Sequence, residues 1–194
     1  GDHSRGLLVR ILNEFGACID RQDFNRAADL RQLAVHVAKL CADPLLEAQV
    51  WEAEAKIEFL QGRVHNAVPL YRRVLHQMIA GGQLLTPQAC TRVSNFCYVL
   101  TSAGLTTEAL KITEALNALA TPELRQSREW AALQGGRAQY LIDGGRLKEA
   151  HETLIYWIPR VVGFRRKFLT GMLQSALVLA GGMDMVDAMA IGPR

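Results

Sequence analysis

The chain has 194 residues, of which 49% are hydrophobic and 21% are charged. This composition is that of a folded globular protein and excludes a disordered chain, and the length is sufficient to bury a core without disulfides or a metal. The formal net charge of +3 at pH 7 is too small to indicate a polyanionic partner.

Apolar residues in the first forty positions recur at helical spacing. One run comprises Leu7, Leu8, Ile11, Leu12, Phe15, Cys18 and Ile19, and the next comprises Leu30, Leu33, Ala34, Val37 and Leu40. Both runs predict amphipathic helices. Further along, Asp43-Pro44, Thr86-Pro87 and Thr121-Pro122 each place a capping side chain before a proline, which predicts the start of a new helical unit. The sequence lacks the sustained alternation that is typical of strands.

A short pattern recurs four times: a turn residue, which is glycine in three copies, followed by alanine five positions later. The turn residues are Gln22, Gly62, Gly104 and Gly145, and the alanines are Ala27, Ala67, Ala109 and Ala150. Successive alanines therefore stand 40, 42 and 41 residues apart. Four copies at nearly equal spacing indicate an internal repeat.

The pattern has a physical explanation as the tight end of a helical hairpin. Glycine adopts the left-handed conformation that ends one helix, and the next helix then runs antiparallel to it. Close packing at this end requires small residues on both helices. The residues twelve positions before each alanine are Phe15, Ala55, Cys97 and Ala138, of which three are small. Ala176, Gly181-Gly182 and Ala188 continue the pattern, which predicts a partial fifth repeat.

The second copy carries Trp51, Ala55, Gly62, Ala67 and Tyr71 as a large, small, turn, small and aromatic series. This series resembles the tetratricopeptide repeat family, from about Leu8 to the C-terminus. The resemblance implies an all-α, right-handed superhelical solenoid of antiparallel helix pairs, with four repeats and a partial fifth. The units are longer than the family's 34 residues. HEAT-like repeats share the longer length, but the glycine-to-alanine turn favours the tetratricopeptide interpretation.

The repeat pattern predicts one helical-repeat domain over residues 1–194. We expect its repeats at approximately 8–44, 45–86, 87–121, 122–159 and 160–194. We also expect the chain to be a piece of a longer protein.

The resemblance implies that the first helix of each repeat lines a concave groove that binds a partner. The polar or aromatic residues at the groove-facing positions are Asn13, Gln49, Glu52, Lys56, Phe59, Thr91, Ser94, Asn95, Tyr98, Thr101 and Gln139. Such a mixed set suits an extended peptide or a partner helix, with Tyr98 and Phe59 as anchors. The alternative is that these residues form only a solvated surface.

A clamp for a terminal carboxylate, which some members of the family use, is not expected here. Glu52 stands where a cation would be needed, and Gly16 and Tyr98 occupy other positions of the clamp.

The only concentrated charge is the basic cluster of Arg160, Arg165, Arg166 and Lys167. The simpler interpretation is a solvated helix face, and the alternative is a contact with an acidic partner. Nucleic acid is not expected, because the cluster lacks interleaved aromatic residues and the chain lacks a recognised nucleic-acid-binding motif.

Catalytic and metal-binding motifs are absent from the sequence. It contains no HExxH, no CxxC and no glycine-rich phosphate loop, so we expect no enzymatic activity, no metal and no cofactor. The cysteines Cys18, Cys41, Cys90 and Cys97 are interpreted as small apolar residues in a reducing compartment, the cytoplasm or a eukaryotic nucleus. The apolar segment of residues 168–183 is too short and too polar to be expected to span a membrane. It predicts a buried repeat helix instead.

The sequence therefore predicts a non-catalytic scaffold or adaptor that binds a partner peptide or helix along its groove. The alternative is a sensor or regulatory module of a larger signalling or transcription-regulating protein. A third hypothesis is self-association, because an open C-terminal repeat would leave an apolar surface that a second copy could cover.

Overall fold

The computed structural model of the protein describes residues 2–41, 43–161 and 163–181, with residues 2, 164 and 165 described by their backbone only. These residues form helices and contain no strand, so the predicted all-α class is confirmed. The chain divides into two compact units, Gly1–Leu84 and Leu85–Arg194, here called unit 1 and unit 2.

Unit 1 consists of two helical hairpins. Helix α1 (Asp2–Asp20) pairs with α2 (Phe24–Cys41), and α3 (Pro44–Leu60) pairs with α4 (Val64–Ala80). Helix α3 also packs against α1 and α2. One core cluster lies among the first three helices and contains Leu8, Ile11, Ala34, Val37, Ala38, Leu46 and Val50. A second lies towards the turn between α1 and α2 and contains Phe15, Cys18, Ile19, Ala27 and Ile57.

Unit 2 repeats this arrangement with an inserted helical turn. Its described helices are α5 (Pro87–Ser102), α6 (Thr106–Leu119), α7 (Pro122–Arg125), α8 (Arg128–Asp143), α9 (Leu147–Trp157) and α10 (Gly163–Leu179), with a 3-10 turn at Ile158–Arg160. Helix α5 pairs with α6 and α8 with α9, while α5 packs on α8 and α10 packs on α9 and α8. The cluster beneath α8, α9 and α10 contains Ala131, Ala138, Leu154, Val161, Leu169, Met172 and Leu173.

The four repeat turns share one backbone conformation. The turn residues Gln22, Gly62, Gly104 and Gly145 have φ values of 60°, 77°, 76° and 73°. At each turn the following N–H donates to the carbonyl five residues earlier, as in Arg63 N to Glu58 O at 2.8 Å and Arg146 N to Leu141 O at 2.8 Å. This bonding satisfies the last carbonyls of the first helix and reverses the chain, so that the next helix runs back along it.

The small residues predicted at the hairpin ends are fully buried. Ala27, Ala67, Ala109 and Ala150 have no exposed surface, and neither do Phe15, Ala55, Cys97 and Ala138. The predicted apolar stripes were a less accurate guide to burial, because three of their leucines, Leu7, Leu33 and Leu40, are 50%, 46% and 66% exposed. In α2 the contact face runs through the alanines and Val37, since the close helix pairing admits small residues there.

The predicted capping residues do begin helices. The side chains of Asp43, Thr86 and Thr121 accept backbone hydrogen bonds in the first turns of α3, α5 and α7. However, α7 is a single turn, and the first long helix of the repeat predicted at 122–159 begins only at Arg128. Ser127 has an extended backbone and its Oγ accepts the N–H of Trp130 at 3.1 Å, so it ends α7 and starts α8.

The predicted fifth repeat is described only in part. Helix α10 forms its first helix, with Ala176 buried, whereas Gly182 and Ala188 lie outside the described residues. None of the described helices combines the length and the apolar character that crossing a membrane would require.

Candidate partner-binding surfaces

The first helix of unit 2 presents a polar strip to solvent, formed by Thr91, Asn95 and Tyr98 of α5. All three side chains are exposed, and their spacing of four and three residues places them on one helix face. Tyr98 is 59% exposed, which is high for an aromatic residue. The two other predicted residues of α5, Ser94 and Thr101, are half-buried, and the Thr101 hydroxyl donates to the Cys97 carbonyl at 2.9 Å.

Helix α8 fixes the backbone beneath this strip. The hydroxyl of buried Tyr140 donates to the Ser94 carbonyl at 3.3 Å. Burial raises the pKa of Tyr140 well above its ordinary value, so the hydroxyl keeps its proton as a donor. The neighbouring Gln139 is half-buried, and its amide donates to Asp143 within α8 at 2.7 Å.

The predicted residues of unit 1 lie on α1 and α3. Asn13 and Lys56 are exposed, while Gln49, Glu52 and Phe59 are half-buried. The Lys56 ammonium lies 2.7 Å from Asp20 Oδ1 at the end of α1. Its hydrogen bond and charge lower the pKa of Asp20, so Lys56 is already paired within the chain.

The predicted basic cluster is divided between two elements. Arg160 lies in the 3-10 turn, and Arg166 and Lys167 are exposed near the start of α10, whereas the side chain of Arg165 lies outside the described residues. The guanidinium of Arg160 lies 3.7 Å from the ring centroid of Tyr156, and its Nη1 donates to the Tyr156 carbonyl at 2.5 Å. Arg160 is therefore held against α9 rather than projecting freely.

Unit 2 contains an open cleft of about 960 Å³ at the end of the α8–α9 hairpin opposite its tight turn. Since these helices run antiparallel, the start of α8 lies beside the end of α9. We call this the arginine cleft, after the arginines among its lining residues Arg125, Arg128, Ala131, Tyr156, Trp157 and Arg160. A smaller pocket of about 300 Å³ adjoins it and shares Arg125, Tyr156 and Trp157.

Backbone carbonyls hold Arg125 at the edge of this cleft. Its Nη2 donates to Asn117 O at 2.8 Å and its Nε donates to Ala120 O at 3.2 Å, so it caps the carbonyl end of α6. Its guanidinium also lies 5.9 Å from the ring centroid of Trp130. Among the described residues, Arg125 and Arg160 form no ion pair, and no Asp or Glu lines the arginine cleft.

Three solved structures are similar to the chain, and two of them are described as TPR-like repeats. The TPR-like repeats of a kinesin light chain candidate from Podosopora anserina give a TM-score of 0.80 at 17% identity, covering 97% of this chain and 92% of that one. A single-residue variant of that protein gives 0.81 at 17% identity, covering 97% and 91%. BtubC (BKLC) from P. vanneervenii gives 0.73 at 17% identity, covering 98% and 83%. No family model matches the sequence, and no curated protein matches it.

The fold is a tetratricopeptide-like helical-repeat fold.

Within this tetratricopeptide-like fold, sequence reasoning named the residues of the polar strip and Arg160 as candidates but did not name the other residues of the arginine cleft. Arg125 and Arg128 were not considered, because they precede the cleft's aromatic residues by about thirty positions in the sequence. The available signals were the second capping residue, Ser127, and the proline in Trp157-Ile158-Pro159-Arg160. Within the described residues, no group of three His, Cys, Asp or Glu side chains is placed to hold a metal ion.

Proposed function

We propose that the chain is a protein-binding module that holds a segment of a partner on the exposed faces of its first helices, with the polar strip of unit 2 as the main contact. The tetratricopeptide-like fold supports this proposal, since such folds generally mediate protein–protein interaction. The proposal depends most on Tyr98, which is 59% exposed on a helix whose opposite face is buried.

The two faces of α5 differ in burial. Val93, Phe96, Cys97 and Leu100 are at most 2% exposed and hold the helix in the core of unit 2. Tyr98, with Asn95 and Thr91 beside it, lies on a backbone that the Tyr140 hydrogen bond fixes at Ser94. A rigid helix that presents a tyrosine flanked by hydrogen-bonding side chains resembles the energetic centre of many protein interfaces.

The test uses peptides selected for binding to the immobilised full chain from a random displayed library. Tyr98→Ala should lower the affinity for the selected peptides by about tenfold or more, which is the loss typical of a central interface tyrosine. The control is Leu119→Ala, which removes a 56% exposed side chain from the second helix α6. Equal affinity of the Tyr98→Ala variant and the unchanged protein for every selected peptide would contradict the proposal.

A further inference from the structure

The arginine cleft gathers positive charge and aromatic surface, and none of its described lining residues carries a carboxylate. Three arginines line it: Arg125 from α7, Arg128 from α8 and Arg160 from the 3-10 turn. The Arg128 side chain is 84% exposed, and its Nε lies 3.9 Å from Glu129 Oε1. Since the described residues offer Arg125 and Arg160 no carboxylate partner, the cleft is strongly complementary to an anion.

The aromatic residues give the cleft a preorganised wall. Tyr156 is 53% exposed and meets Trp157 edge to face at a centroid separation of 5.2 Å. Arg160 stacks on the ring of Tyr156 and is fixed by its hydrogen bond to the Tyr156 carbonyl. A guanidinium held in this way loses less rotational freedom when it binds a carboxylate.

The adjoining pocket indicates a ligand that offers both hydrogen-bond donors and acceptors. It is lined by Arg137 and Glu152, among others, so its charges are mixed. The Arg137 Nη1 donates to Thr153 Oγ1 at 3.1 Å, whereas its Nε is buried without an acceptor among the described residues. A peptide backbone suits such a pocket because its N–H groups can donate to Glu152 and its C=O groups can accept from Arg137, whereas a phosphodiester group supplies acceptors only.

We infer that the arginine cleft of unit 2 binds an acidic segment of a partner protein, with the segment's carboxylates on Arg128 and Arg160 and an apolar side chain against Tyr156 and Trp157. The size of the cleft falls in the range of ligand-binding pockets, and its open side admits a continuous chain. The inference shares with the proposed function only the premise that the chain binds protein segments. It concerns another surface, so either can fail alone.

The test measures binding of a fluorescein-labelled peptide of alternating glutamate and leucine to the full chain by fluorescence anisotropy. We expect binding that weakens as salt is added, and no binding of the counterpart with glutamine in place of glutamate. Arg128→Gln and Arg160→Gln should each lower the affinity for the glutamate peptide by about tenfold, because each removes one charge-assisted hydrogen-bonded pair. Arg10→Gln, on the exposed side of α1, makes the same chemical change elsewhere and should leave the affinity unchanged.

A second measurement covers the case in which a cleft variant fails to fold. In the unchanged protein, the NMR signal of the Trp157 indole N–H should shift on addition of the glutamate peptide, while that of Trp51 stays in place; Trp157→Phe assigns the signal. Unaltered peptide affinity in both arginine variants, an unmoved Trp157 signal, or tighter binding of single-stranded oligouridine than of the peptide would overturn the inference. Loss of glutamate-peptide binding in Tyr98→Ala, with no loss in the arginine variants, would also overturn the inference. It would favour the polar strip as the binding site of this peptide.

Discussion

The Sγ atom of Cys97 lies 3.7 Å from the carbonyl oxygen of Ala109, across the interface between α5 and α6. Both residues are completely buried, and the thiol is placed to donate a weak hydrogen bond to the backbone of the second helix. The contact shows how closely the two helices of this hairpin approach. Because Ala109 has no exposed surface, a longer side chain at this position would have to displace its buried neighbours.

Ala109→Leu is therefore expected to destabilise unit 2 by about 1–3 kcal/mol, the usual cost of overpacking a core site. The matched control is Ala118→Leu, an exposed position on the same helix, which should change stability by less than about 0.5 kcal/mol. Urea unfolding followed by circular dichroism measures both. Equal midpoints for the two variants would show that α5 and α6 are not packed as closely as described.

Gln22 is the only non-glycine residue with a positive φ in the described part of the chain. Because a side chain disfavours this conformation, Gln22→Gly should stabilise unit 1 by about 0.5–1 kcal/mol, after allowing for the extra freedom of glycine in the unfolded chain. The change is measured as a rise in the urea midpoint. A lower midpoint would mean that the Gln22 side chain contributes more than its backbone strain costs.

The reciprocal substitution is Gly104→Ala in unit 2, where φ is 76°. An added Cβ would meet no atom within 4 Å, so the expected loss of about 1 kcal/mol is a backbone cost alone. Gly171→Ala in α10 is the control, since that glycine also has open space around it but has no positive φ. It should gain about 0.5–1 kcal/mol from better helix propensity. Substitution by alanine should thus lower the free energy of unfolding at Gly104 and raise it at Gly171.

The turns and hairpin ends could be predicted because they depend on local chemistry at fixed spacing. Gly62 and Ala67 report a left-handed turn and a close crossing without reference to the rest of the chain. The arginine cleft could not be predicted in this way, because Arg125 and Arg160 line one cleft only after the chain has turned back from α8 into α9. The exposure of Leu40 was missed for a related reason: helical periodicity places a residue on a face only to within about one position.

The cysteines should differ in reactivity according to burial. Burial raises the pKa of Cys90 to about 11 and that of Cys97 to about 12, so neither thiol forms much thiolate at pH 8. Cys41 is half-buried at the end of α2 and should react first with iodoacetamide in the folded protein. Mass spectrometry of time points should show one fast modification, which Cys41→Ser abolishes. Rapid modification of Cys97 without unfolding would contradict the packing of α5 on α6.

Stability in acid should depend on the ion pair between Glu58 and Arg63 at the second repeat turn. The two carboxylate oxygens of Glu58 accept from Arg63 Nη2 at 2.7 Å and from Arg63 Nε at 2.6 Å, and Asn66 donates to the same carboxylate at 3.0 Å. The hydrogen bonds from Arg63 are the main reason that the pKa of Glu58 lies below its ordinary value. The stabilisation is therefore complete above the unfolded pKa of about 4.3 and is lost as the pH falls through the lower folded pKa.

Glu58→Gln should lower the melting temperature at pH 7, and its difference from the unchanged protein should shrink as the pH falls from 5 towards 3, about the window in which Glu58 is protonated. Thermal unfolding at a series of pH values measures this convergence. Asp29→Asn is the control, because Asp29 is exposed on α2 and forms no ion pair within the described residues. Its melting temperature should run parallel to that of the unchanged protein. If the Glu58→Gln curve also ran parallel, the carboxylate would not be stabilised by Arg63, because a group with the same pKa in both states contributes no pH dependence.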